Sequence, residues 1–187
     1  MSFLLKGSIP ATVPVHWGLD GQPDRYGSRL EGLLFVPIML LVLGALFGLI
    51  GAISGGRLKS NATKGLNLIS IGIVVTFICI HFMLLTQNYG LIPRMLPFFF
   101  SFFLILIGSA MRGIEPNPFI GIRVPWTMKS PLVWRLTHER ASRLCINGGI
   151  VSLIFAVVGV HFAVSILIFV GCLLVPVYDS YLISKKA

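Results

Sequence analysis

Five stretches of this chain are almost free of charge, near residues 33–53, 66–86, 94–111, 145–162 and 164–183. Each is about 20 residues long, the length at which a helix crosses the roughly 30 Å hydrocarbon core of a bilayer. In lipid the backbone must satisfy its own hydrogen bonds, so runs of this kind become helices. The fold class expected is therefore all-α: a polytopic membrane protein with five transmembrane helices. The last two runs are nearly continuous. A single helix over 146–183 would reach roughly 57 Å, too long for one crossing, so a fold-back is expected near Gly159–Ser165.

Composition matters here mainly through charge. Charged residues make up 11% of the chain and hydrophobic residues 56%, where a soluble domain carries about 25% charge. The formal net charge of +9 would suggest nucleic acid in a soluble protein, but here it reads as a topology signal. With the N-terminal segment outside, eleven of the fifteen Lys and Arg residues fall in the inner loops and tail, and only Lys6, Arg25, Arg29 and Arg94 fall outside. The excess of basic residues on the cytoplasmic side favours that orientation. The four regions expected are an extracytoplasmic turn-rich segment (1–32), three transmembrane helices (33–111), a cytoplasmic loop with an interfacial helix (112–144), and a transmembrane hairpin with a basic tail (145–187). Cys79, Cys145 and Cys172 lie singly in apolar runs and make no C-x-x-C pair, so neither a disulfide framework nor a metal knuckle is expected.

Several local features predict structure. Gly and Pro density in 1–32 argues for ordered turns rather than a helix. Pro37 is expected in the first turns of helix one, where proline does least harm. Gly44 and Gly48, with Ala52 four residues on, suggest close approach of a neighbouring helix. Ser70 and Thr76 are lone polar residues expected to bond to helix backbone. Ser130 followed by Pro131 reads as an N-cap and first helical residue. That helix should run toward Leu144 and on into the fourth span, with Trp134, His138, Ala141 and Cys145 on one face and Arg135, Glu139 and Arg143 on another. Trp and Arg suit the headgroup level, so its first part is expected to be interfacial. If the last two spans form a hairpin, Asp179 should pair with Arg140 or Arg143.

Two motifs carry a resemblance. The run N-P-F-I-G-I-R-V-P-W-T-M followed by V-W-R-L-T-H is similar to the SdpI family of bacterial membrane proteins, whose string is close to N-x-x-x-G-I-R-T-P-W-T-L and then W-x-x-T-H. The N-terminal P-V-H-W-G-L-D-G-Q-P-D-R-Y-G-S-R resembles the small domain that precedes that region in many members. The inner motif falls on Asn117, Gly121, Arg123, Pro125, Trp126, Thr127, Trp134, Thr137 and His138. The outer one falls on Pro14, His16, Trp17, Gly21, Pro23, Asp24 and Gly27. Val124 stands where the family usually has Thr, and Glu139-Arg140-Ala141 where glycines often follow. Family members usually carry a transmembrane helix before the H-W motif, and this sequence begins almost at it.

The resemblance implies a non-enzymatic immunity protein of the bacterial cell membrane. It implies protection against a secreted peptide toxin, and signalling by holding a transcriptional repressor at the membrane. The implied partners are thus the lipid bilayer, a peptide toxin outside and a repressor inside, with no direct nucleic-acid contact. The alternative is a small transporter or intramembrane enzyme, which would need a charged or nucleophilic cluster at mid-bilayer depth. From the residues themselves, Arg123 and Arg135 suit an anionic headgroup or acidic partner. Trp126 and Trp134 give either a binding surface or packing of the loop on the helix ends. His16, Asp20 and Asp24, with His81 and His161 toward the same side, are donor types that suit a cation. The rival is that His81 and His161 bond backbone or Ser/Thr between helices. No metal-ligand spacing accompanies them, so no metal and no cofactor is assigned.

Overall fold

The computed structural model describes residues 9–18, 20–54 and 60–186. Its helices include five that are long and apolar enough to cross a membrane. Two short strands, β1 (Thr12–Trp17) and β2 (Pro23–Ser28), come first. They form an antiparallel hairpin running from Thr12 opposite Ser28 to Trp17 opposite Pro23, with irregularities on either side of His16. The segment read from sequence as turns is thus a hairpin. Its hidden face is small: Val13 packs with Ile9 and Leu33, flanked by Val15, Leu85 and Tyr89. Burial in this cluster pushes the Tyr89 phenol above its ordinary pKa.

Helix α1 (Arg29–Ser54) follows β2 directly. The Ser28 hydroxyl accepts from the Glu31 N–H at 3.2 Å, an N-cap that settles one of the free donors of the first turn. Pro37 is the ninth residue of α1, because the helix starts at Arg29, four residues before the apolar run at 33. Helix α2 (Ser60–Leu85) returns, and a short turn leads into α3 (Leu91–Met111). A loop and the short helix α4 (Pro125–Lys129) precede α5 (Pro131–Val157) and α6 (Phe162–Lys186). The Ser130 side chain accepts from the Val133 N–H at the start of α5, and α5 runs unbroken from the expected interfacial segment into the membrane span. The expected fold-back is the turn after Val157, where Gly159 has φ +76°. Glycine reaches that left-handed region at no steric cost.

Helix α3 is central, packed on α2, α5 and α6, while α1 touches α2 and the hairpin. The close contact lies on the α3–α5 seam. A Cβ on Gly108 would sit 2.8 Å from the Ser142 carbonyl oxygen, and one on Gly149 would sit 2.8 Å from that of Ser101. The hydroxyls of Ser101 and Ser152 meet across the seam at 2.9 Å. Lipid tails give helices no hydrophobic reason to associate, so small residues and interhelical hydrogen bonds do that work. The Gly44–Gly48 pair does not take part: among the described residues, no atom of a neighbouring helix lies within 4 Å of a Cβ built at either position. Spacing of small residues shows where a close approach is possible, and the partner helix decides where it occurs. Ser70 donates to the Leu66 carbonyl at 2.8 Å as expected, whereas the buried Thr76 hydroxyl has no partner among the described residues.

Candidate functional site

The bundle has two ends. At one, the hairpin tip meets the start of α3 and the α5–α6 turn: a Cβ on Gly21 would lie 3.6 Å from Pro93 Cβ and 3.9 Å from Phe162 Cε1. At the other, the 112–130 segment meets α5 and the end of α6. The two sequence motifs therefore occupy opposite ends.

At the second end, the loop is stitched to α5 by two aromatic side chains one helical turn apart. Trp134 Nε1 donates to the Ile114 carbonyl at 2.8 Å. His138 Nε2 accepts from the Ile122 N–H at 2.9 Å, and its Nδ1 lies 2.8 Å from the Trp134 carbonyl. A backbone N–H can only donate and a carbonyl can only accept, so the ring is neutral with its proton on Nδ1. The two rings stack with centroids 4.1 Å apart, and both residues are 1% exposed. Ala141 and Cys145, on the same face, are buried as well, as the helical spacing predicted.

Gly121 fits over this pair because it has no side chain. Its φ is +116°, and a Cβ there would fall 2.5 Å from His138 Nε2 and 3.0 Å from Trp134. Asn117 folds the loop from within. Its Oδ1 accepts from the N–H groups of Phe119 and Ile120, and its Nδ2 donates to the carbonyls of Glu115 and Ile120, all within 3.1 Å. Thr127 Oγ1 accepts from the Val124 N–H and donates to the Ile122 carbonyl at 2.7 Å. Pro125 opens α4, where its missing N–H costs nothing. Trp126 Nε1 donates to Ser180 Oγ at 2.8 Å and its ring meets Tyr181 edge-on, tying α4 to α6. Thr137 is buried, and its hydroxyl has no partner among the described residues.

The inner residues therefore divide. Asn117, Gly121, Trp126, Thr127, Trp134 and His138 form an internal latch, so for the two tryptophans the structure favours packing over an open binding surface. Arg123 and Arg135 are exposed. Arg135 lies 3.8 Å from Glu139, while Arg123 makes no ion pair among the described residues. Nearby, Arg140 Nη1 reaches both Asp179 oxygens, at 3.1 and 3.3 Å, as the hairpin reading expected.

At the hairpin end, His16 Nδ1 and Asp24 Oδ1 are 2.5 Å apart on an exposed face. Asp20 Oδ1 accepts from the Gln22 N–H at 3.0 Å, shaping the turn, and Gly21 has φ +75°. Among the described residues no three His, Cys, Asp or Glu side chains converge as a metal site.

Trp17, Asp20, Gly21 and Pro23 form one wall of a cleft of about 680 Å³, and Arg94, Phe98, His161 and Phe162 contribute to the others. That volume lies within the usual range of ligand sites, about 300–1,000 Å³. His16 and Asp24 lie outside its lining. Sequence reasoning placed Arg94 and His161 toward the same side as the hairpin without joining them in one cleft, because three distant segments build it. The available signal was Arg94 itself, a basic residue on the side where basic residues are few.

A bundle of apolar spans with a polar cap at each end defines a multi-pass membrane protein. Comparison with known proteins makes the class specific: residues 113–179 match the SdpI/YfhL protein family, and residues 1–41 match the Domain of unknown function (DUF1648). The first match covers the latch segment, α5 and most of α6, and the second covers the hairpin and the start of α1. It is 25% identical over 151 residues to a Bacillus subtilis (strain 168) protein named "Immunity protein SdpI", an alignment covering 80% of this chain and 72% of that one. It is also 44% identical over 50 residues to an uncharacterized protein of Archaeoglobus fulgidus, covering 27% of this chain and 23% of the archaeal protein. No solved structure matches.

Proposed function

We propose that this chain is a non-enzymatic immunity protein of the bacterial plasma membrane, with the hairpin outside and the latch and C-terminus in the cytoplasm. The outer cleft receives a secreted peptide toxin. The inner face, with Arg123 and Arg135 outward, meets anionic headgroups or an acidic surface of a transcriptional repressor. The observation that carries this reading is the alignment over 80% of the chain with a protein named for immunity. The basic excess at the latch end supports the orientation. The residues of the latch support a structural rather than a catalytic role, because their polar atoms are spent on holding the loop to α5 and α6.

The test is protection. The full chain is expressed in a bacterial strain that lacks its own immunity protein and is killed by a secreted peptide toxin. Survival at toxin levels that kill the empty-vector strain is the expected result. Killing at unchanged levels, with the protein present in the membrane fraction, overturns the assignment.

A further inference from the structure

We infer that the outer cleft recognises its ligand by a carboxylate, the free C-terminus of an apolar peptide, with Arg94 as the anchoring cation. This rests on the reading of the cleft as a peptide site.

The argument starts from which outer charges are already in use. At the hairpin end, Arg25 pairs with Glu31 at 3.6 Å, and Arg29 Nε donates to the Pro10 carbonyl at 3.2 Å. Arg94, in the first turn of α3, lines the cleft and makes no ion pair or hydrogen bond among the described residues. A guanidinium presents a fixed fork of donors that matches a carboxylate in two-point fashion. His161 also lines the cleft, and its Nδ1 accepts from the Ala163 N–H at 3.3 Å. That leaves the proton of the neutral ring on Nε2, a second donor with no partner among the described residues. The one acid of the cleft, Asp20, already spends an oxygen on the Gln22 N–H.

The rest of the lining fits an apolar chain end, with Phe98, Met95, Phe162 and Val160 around those donors. A peptide fits better than a phospholipid because of where the cleft lies. It sits at the end of the bundle under the hairpin tip and is lined by the ends of α3, α5 and α6, whereas acyl chains need grooves along helix flanks. One such groove, between α1 and α2, is separate from it.

The test uses the full chain in phosphatidylcholine nanodiscs. The probe is a Leu/Phe hexapeptide with a dye on its N-terminus, made as the free acid and as the C-terminal amide and followed by fluorescence anisotropy. The free acid should bind about tenfold or more tightly than the amide, the scale of one charge-assisted contact. Arg94→Gln should remove that difference and Arg94→Lys should restore part of it. Equal binding of acid and amide to the native chain overturns the carboxylate inference and leaves the cleft as a peptide site. Binding of neither overturns the inference and counts against the cleft as a peptide site, while leaving the protection assay to judge immunity itself. Preference for the acid that persists in Arg94→Gln overturns the anchor. Displacement of the acid by adding phosphatidylglycerol to the discs assigns the anion to lipid and likewise overturns the proposal.

Discussion

Replacing Gly121 by Ala should open the inner latch. Two costs add. At φ +116° a residue with a Cβ pays roughly 1–2 kcal/mol of backbone strain. The Cβ would also lie 2.5 Å from His138 Nε2, so ring and loop must separate and the Ile122 N–H loses its acceptor. An unpaired buried partner costs about 1–3 kcal/mol. Together these come to roughly 3 kcal/mol, which raises the open population about a hundredfold. Trypsin reports that population at Arg123, whose backbone lies in the latched segment, provided closing outruns cleavage. The control is Gly113→Ala: φ is +64°, and among the described residues a Cβ there would meet only Asn61 Nδ2, at 3.8 Å. It carries strain without a clash and should speed the Arg123 cut by no more than about thirtyfold. If Gly121→Ala is cut no faster than Gly113→Ala, the close approach of Gly121 to His138 does not hold the loop.

Other expectations concern the spans and their ends. Gly149→Leu should prevent recovery of folded protein from membranes, because Ser101 backbone blocks the new side chain, whereas Gly48→Leu should be recovered in native yield; size-exclusion profiles in detergent separate the two. Ser101→Ala, which keeps the volume and loses one interhelical bond, should lower thermal stability by only about 0.6 kcal/mol, the average for such bonds in membranes. Arg140 and Asp179 are partly exposed, so a double-mutant cycle with Arg140→Gln and Asp179→Asn should give a coupling of about 0.2–1 kcal/mol; zero coupling would mean that the contact does not form.

What could be read in the sequence was what repeats locally. The apolar runs fix the spans because the bilayer sets their length. Ser130-Pro131 marks the start of α5, and the spacing of Trp134, His138, Ala141 and Cys145 marks its buried face, since both depend on neighbours within a few turns. The Arg140–Asp179 pair followed once the last two spans were read as a hairpin. What could not be read depends on distant partners. Gly44 and Gly48 match a packing pattern as well as Gly108 and Gly149 do, and only the position of α3 against α5 separates them. The inner motif marked the latch residues without showing that Trp134 and His138 turn inward to hold Ile114 and Ile122. The outer cleft is assembled from the hairpin tip, the start of α3 and the α5–α6 turn, so no stretch of sequence contains it.

The central claim is that the hairpin and the latch face opposite sides of a membrane. In a chain with Cys79, Cys145 and Cys172 replaced by Ala, single cysteines at Gln22 and Lys129 can be probed in intact cells with a membrane-impermeant maleimide. Labelling of Gln22→Cys in intact cells, with Lys129→Cys labelled only after permeabilisation, is the predicted result. Labelling of both, or of Lys129→Cys alone, before permeabilisation would contradict it.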